Sequence, residues 1–359
     1  MTAEDLPVSV LEVERAAAFD HTRIVSDHLP DAPDAVVLEV QRFSLATNNL
    51  GYVMLGDILR SWDAYPSPSP GWGRVPVWGA ARVVSAPSAV AEAGAVVTGY
   101  LPMATHTALR ATAVPEGLLA VDQPRAGMLP IYRRLTAAPP VLAQWDDHQI
   151  DVDTVLLAVF PFATLLARDL GYADRVVLSS ASSRSAAALA RLLSATGTHV
   201  TGLTSARHRT AVESFGVYEQ VLSYDNIAAL PTAGEVVYVD LAGAAEVSAA
   251  VRDRLGSGLA ATVIVGGTHL RTWSADGRHD PTVSVFNTGD REQELAAEIG
   301  QDAIEQLYPA ARTDLNGWAS QWLQVRTLAG LDAADQTWRD IAAGRSDPLS
   351  AVVIRPGLT

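Results

Sequence analysis

The stretch from Arg175 to Arg209, RVVLSSASSRSAAALARLLSATGTHVTGLTSARHR, constrains the fold more than any other. It reads as strand, turn, helix, strand, with Leu189, Leu192, Leu193 and Thr196 on one helix face. The alternation continues through a helix from about Arg207 to Phe215, then "QVLSY", "EVVYVDLAG", a helix around 245–256 and "AATVIVGGTH". Strands and helices alternating at this spacing predict a parallel, doubly wound sheet. The first unit has the layout of a dinucleotide-binding site, yet its turn holds no glycine.

Composition narrows the chemistry. The chain has 359 residues, 48% hydrophobic and 18% charged, which is enough for two domains with their own cores. A net charge of −14 argues against general binding to nucleic acid or anionic membranes. No apolar run approaches the ~20 residues that span a bilayer. The acidic start, MTAEDLPVSVLEVERAAAFD, lacks the basic and apolar regions of a signal peptide, so a cytoplasmic location is expected. With no cysteine, disulfides, thiolate nucleophiles and Cys-ligated zinc are excluded. All 26 basic residues are arginine. Lysine Schiff bases, a Walker-type loop and a Tyr-x-x-x-Lys pair are therefore excluded too.

The first ~150 residues differ in kind, with short strand-like runs separated by Gly and Pro. These include "AVVLEVQRF" (35–43), "VPVWGAARVVSA" (75–86) and "AVVTGYLPM" (95–103). The pattern changes near Asp151, where "DTVLLAVFPFATLLARDLG" reads as a helix kinked at Pro161. The expected division is a β-rich domain over 1–150, a nucleotide-binding domain over 151–295, and a C-terminal segment over 296–359. That last segment carries amphipathic helices, around 291–308 and 332–343, and a return strand, "SAVVIRPG".

A β-rich domain followed by a mid-chain Rossmann domain is the arrangement of medium-chain dehydrogenases/reductases. The chain further resembles a divergent branch of that superfamily, the domain of unknown function DUF2855. The resemblance runs through "TNNLGYVMLGD" (47–57), "GWGRVPVWGAARVV" (71–84), "TGYLPMATH" (98–106), "VVLSSASSRSAA" (176–187) and "GLTSARH" (202–208). It implies an α/β, quinone-reductase-like fold, GroES-like plus Rossmann, that binds a nicotinamide nucleotide and commonly dimerises edge to edge. It names no substrate.

Superfamily turns commonly read Thr-Gly-Ala-x-Gly-Gly-Val-Gly. Here the matching run is Ser179, Ser180, Ala181, Ser182, Ser183, Arg184, Ser185, Ala186. Losing the glycines removes tolerance of positive φ. In exchange, Ser180, Ser182, Ser183 and Arg184 bring hydroxyls and a guanidinium to a helix N-terminus that already favours anions. The same serines can equally be helix caps. The second strand ends in Thr204, Ser205, Ala206, Arg207, His208, Arg209, with no acid to bond a ribose 2′-hydroxyl. Arg207 and Arg209 suit a 2′-phosphate, so NADP is expected over NAD. Gly266, after the strand "AATVIV", completes the cofactor-side positions.

In this superfamily the nicotinamide's reaction partners come from the N-terminal domain. Eight histidines show no ligand spacing, so no metal is expected. Tyr52 is the candidate proton donor and Asn48 or Asn49 the candidate oxyanion donors, in a loop that faces the nicotinamide in zinc-free relatives. Each is alternatively a turn or rim residue. Tyr100, His106 and Trp78 are candidate substrate contacts, and Trp72 is a further candidate wall. The expected function is zinc-independent, NADPH-dependent reduction of an activated C=C or C=O in a small molecule such as an enone or quinone. A redox-neutral lyase, isomerase or dehydratase, and a non-catalytic NADPH sensor, stay open.

Overall fold

The computed structural model describes residues 6–16, 19–29, 32, 34–123, 125–265 and 282–357. The chain divides into two compact units, Met1–Leu157 with Ala319–Thr359, and Ala158–Trp318. The division falls inside the expected kinked helix, which is in fact two helices, Asp147–Leu156 and Val159–Asp169. The break precedes Pro161 rather than sitting on it. Pro161 lies in the first turn of the second helix, where a missing N–H costs no hydrogen bond.

The second unit is built on six parallel strands: β1 (Arg175–Leu178), β2 (His199–Thr204), β3 (Gln220–Ser223), β4 (Val236–Asp240), β5 (Leu259–Val265) and β6 (Val283–Phe286). Their spatial order is β3-β2-β1-β4-β5-β6, a doubly wound sheet whose order reverses between β1 and β4. Valine-rich β4 is buried along its whole length, as a strand covered on both faces must be. Helix Arg184–Ala195 buries Ala186 to Ala190 and Leu193, while Thr196 lies outside the buried face. The small alanines bring it close to the sheet. The expected single helix near 291–308 is two, Thr288–Ile299 and Gln301–Ala319, broken at Gly300 with φ +88°.

The first unit is antiparallel apart from one pair. Its large sheet runs through Gln324–Ala329, Ser350–Arg355, Val36–Leu45, Pro76–Ser85, Val96–Pro102, Arg134–Ala137, Gly117–Ala120 and Ala111–Val114. The two C-terminal strands are parallel to each other, and the second pairs antiparallel with Val36–Leu45. Leu11, Leu38, Phe43, Val77, Leu101 and Trp338 are among its fully buried core. A small sheet, Thr22–Asp27, Val8–Glu14 and Trp72–Gly73, completes the unit. Among the described residues, no single helix is long and apolar enough to cross a membrane.

The small sheet carries a buried charge. Glu12 is 1% exposed and accepts hydrogen bonds from Arg23 (2.6 Å) and Arg74 (3.1 Å), and Arg74 also pairs with Asp27 (2.6 Å). Arg23 lies over the Trp72 ring at 4.0 Å, which ties Trp72 to this cluster. Burial pushes the Glu12 pKa up, but hydrogen bonds from Arg23, Ser67 and Arg74 outweigh it and hold the carboxyl below its ordinary 4.5. Its stabilisation is therefore complete above pH 4.5 and is lost as pH falls through the lower folded value. Replacing Glu12 with Gln leaves Arg23 without its counter-charge and Arg74 with Asp27 alone, and should cost about 1–3 kcal/mol at pH 7. Urea titrations from pH 7 down to 3 check this, with the gap between the two proteins closing only at the acid end.

Candidate functional site

In the first unit the candidate residues gather on one aromatic cluster. Asn48, Asn49 and Tyr52 lie not in a loop but on a short helix, Asn48–Met54. Helical spacing puts the Asn48 amide against the Tyr52 hydroxyl, to which it donates at 3.1 Å. The Trp78 indole N–H donates to the same oxygen at 3.0 Å. With both acceptor sites occupied, the Tyr52 proton is free to be donated outward. Burial raises the Tyr52 pKa, and the bonds from Trp78 and Asn48 offset part of that rise. The hydroxyl stays protonated at neutral pH.

Tyr100 stands opposite Trp78 on the neighbouring strand and meets Tyr52 edge to face at 5.2 Å. Tyr132, which the sequence reading passed over, lies 5.1 Å from Tyr100 and 6.4 Å from Trp78. Tyr52 and Tyr100 are buried, while Trp78 and Tyr132 are half-buried. Burial also pushes the Tyr100 hydroxyl well above its ordinary pKa.

Two candidates leave this group. Asn49 is buried, and its amide is committed to the backbone: Oδ1 accepts from Ala46 N–H (2.8 Å) and Nδ2 donates to the Pro76 carbonyl (3.3 Å). It shapes the helix start, with its Oδ1 and one of its two Nδ2 protons committed there. His106 faces Glu39, whereas Trp78 faces Ser44 on the same strand. Five residues of strand put His106 roughly 16 Å from the cluster. Its Nδ1 is buried without a hydrogen bond, and burial lowers its pKa.

In the second unit the glycine-free turn follows β1. Ser180 has φ +54°, so the left-handed conformation expected to be lost with the glycines is kept by a serine. Such a residue costs about 1–2 kcal/mol where nothing supports it. Here the Ser180 N–H donates to the Tyr224 hydroxyl (2.9 Å), and the Tyr218 hydroxyl donates to the Ala181 carbonyl (2.9 Å). Ser183 caps the helix, accepting from Ala186 N–H at 3.2 Å. Among the described residues, the Ser182 and Ser185 N–H groups make no hydrogen bond, which leaves donors at the helix start. Half-buried Arg184 is the first helical residue, and burial lowers its pKa without discharging it.

At the end of β2, Thr204 is buried and the Ser205 hydroxyl lies 3.2 Å from His208 Nδ1. Arg209 pairs with Glu213 at 2.9 Å. Arg207 is exposed and, among the described residues, unpaired. Gly266 lies outside the described residues. No cluster of three metal-ligating side chains occurs among the described residues.

The sequence reading also missed a buried clasp between the ends of β1 and β4. Ser179 Oγ donates to Asp240 Oδ1 (2.9 Å) and accepts from the N–H groups of Leu241 (2.9 Å) and Ala242 (3.0 Å). Asp240 also accepts from Gly243 N–H (2.9 Å) and the Ser248 hydroxyl (2.5 Å). No spacing rule pairs a strand-end serine with an acid so far along the chain.

A β-rich unit with a doubly wound parallel unit defines the class as a medium-chain dehydrogenase/reductase fold. Within that class the chain belongs to the family described as "Protein of unknown function (DUF2855)", which matches residues 43–347. No curated protein matches it. Among solved structures, a quinone oxidoreductase from Coxiella burnetii is 15% identical, with a TM-score of 0.60 over 98% of this chain and 99% of the other. The yhdH oxidoreductase from Salmonella enterica, in complex with NADP, is 16% identical, with a TM-score of 0.55 over 97% and 99%. A mutant enoyl thioester reductase from Candida tropicalis is 12% identical, with a TM-score of 0.63 over 98% and 100%. At these identities the likeness is one of fold.

The Ser179 clasp carries a prediction. Ser179→Ala removes one donor and strands the buried Leu241 N–H, while Ala242 N–H keeps its bond to Asp240 Oδ1 (3.0 Å), which should cost about 1–3 kcal/mol. A fall in the urea midpoint at unchanged m-value checks it.

Proposed function

We propose that the protein is an NADPH-dependent reductase, independent of zinc, acting on an activated C=C or C=O of a small molecule. The observation that carries the reading is the Tyr52 hydroxyl, held by Asn48 and Trp78 so that only its proton remains to be given. That is the arrangement a general acid needs when no metal polarises the substrate. The cofactor, when bound, supplies the hydride.

The chain's own residues fit such a cofactor. Ser180 keeps the left-handed turn, and the Ser182 and Ser185 amides offer donors to phosphate oxygens at the start of helix Arg184–Ala195. Ser182, Ser183 and Arg184 line that turn. Arg207, exposed at the end of β2, would take the 2′-phosphate, with Arg209, Thr204 and Ser205 beside it. The neighbours whose structures hold NADP support this assignment by fold. Trp78, Tyr100 and Tyr132 would present aromatic faces to a flat, conjugated acceptor. An enone or quinone is that kind of molecule.

One observation favours the redox-neutral alternative: the turn commits the Ser180 N–H to Tyr224. A homodimer is also proposed. It would form through β6, the last strand of the described sheet, where Val285 is 57% exposed. Sedimentation velocity at micromolar concentration should read a dimer, and a monomer at every concentration would remove this assembly.

Fluorescence titration should show NADPH binding more tightly than NADH. Arg207→Asp should cost NADPH roughly ten- to a hundredfold and erase the preference. Tyr52→Phe should lower kcat with a panel of enones and quinones by roughly a hundredfold or more while leaving NADPH affinity unchanged. Flat titrations from a cooperatively folding protein would favour the redox-neutral reading instead.

A further inference from the structure

The four backbone groups of Ser180 and Ala181 are all bonded, and the way they divide is informative. Two bonds are made by the main chain: the Ala181 N–H donates to the Leu203 carbonyl (2.9 Å), and the Ser180 carbonyl accepts from Ser183 N–H (2.7 Å). The other two are made by tyrosines that flank β3. Tyr224 follows its last residue and accepts from Ser180 N–H. Tyr218 stands two residues before its first and donates to the Ala181 carbonyl. Strand β3 pairs with β2, and β2 with β1, so both rings reach over β2 to a turn that follows β1.

A lane is kept open for this reach. Gly202 lies level with Leu178 of β1 and Val221 of β3. A Cβ there would come within 2.8 Å of the Ala181 Cβ and 2.9 Å of the Tyr218 ring. Burial raises the pKa of both tyrosines, Tyr218 well above its ordinary value, so both hydroxyls keep their protons at neutral pH. A missing side chain in β2, two hydroxyls beside β3 and a left-handed serine after β1 thus act on one dipeptide.

We propose that Tyr218 and Tyr224 are positioning residues that hold Ser180 in the left-handed turn, doing with side chains what glycine does with its own backbone freedom. The turn then keeps the amides at the start of helix Arg184–Ala195 aimed at the phosphates of the cofactor. The proposal rests on the dinucleotide reading above. It deepens that reading by saying how a turn without glycine remains usable.

The test is a double-mutant cycle on the whole protein, with NADPH as the titrant. Tyr224→Phe should weaken NADPH binding about tenfold, the loss expected for one hydrogen bond's worth of conformational control. Ser180→Gly alone is the reference corner of the cycle, since glycine adopts the turn unaided. Combining the two should recover most of the lost affinity, which a tyrosine touching the ligand directly would not allow. Unchanged binding in Tyr224→Phe, or a double variant as weak as Tyr224→Phe alone, would overturn the proposal. If the unmutated protein binds no NADPH, the functional reading falls separately and melting temperature decides the tyrosines' role. Loss in Tyr224→Phe with recovery on adding Ser180→Gly supports it, and independent, additive shifts refute it.

Discussion

The second unit depends on a hydrogen bond between two side chains that end neighbouring strands. Ser179 and Asp240 close the carboxyl ends of β1 and β4, the pair at which the strand order reverses. At such a point the crossovers leave in opposite directions and open a crevice, which is where ligands of doubly wound folds settle. The polar groups released by two ending strands must be satisfied there without water, because the surroundings are buried. A hydroxyl that donates once and accepts twice, against a carboxylate that takes the remaining donors, meets that requirement compactly. It fixes both strand ends, and so the place from which the glycine-free turn departs.

On the proposed function, the first unit meets a different constraint, that of making a proton donor without a metal and without lysine. Tyrosine is the strongest acid left that is still protonated at neutral pH and can sit among apolar groups. Burial alone would make Tyr52 an inert core residue. The Asn48 Nδ2 and the Trp78 indole nitrogen change that, because both nitrogens donate to the hydroxyl oxygen and neither accepts its proton. Tyr100 and Tyr132 give the group its apolar body. Tyr65 supports it from outside by donating to the Tyr100 carbonyl at 2.7 Å.

What could be read from the sequence was what repeats locally. Valine runs bounded by turns placed the strands over 36–45, 76–85 and 96–102 within a residue or two, and β1 and β4 within three, because buried strands need such residues. Tyr52 and Trp78 were visible as aromatics beside amides. Their convergence was not, since it depends on the register that faces Trp78 with Tyr100. His106 misled for the same reason, its place being fixed by pairing with Glu39. The helix at Asn48–Met54 was hidden by asparagines and a glycine, which favour turns in isolation. Least visible was the conformation of Ser180. A serine after a strand says nothing about φ until the tyrosines beyond β2 are in place.

The return of the last strands to the first unit bears on how the chain acquires its fold. Ser350–Arg355 lies between Val36–Leu45 and Gln324–Ala329, so the large sheet lacks an interior strand until the C-terminus is available. The second unit, by contrast, is one continuous segment. During synthesis it can finish first, while Phe43, Ser44 and Leu45 of the first unit wait for their partner strand. That short gap, beside a flank already paired over Val36–Glu39, stays open for as long as the ribosome takes to complete the chain. The half of the protein that is translated earliest is therefore completed last.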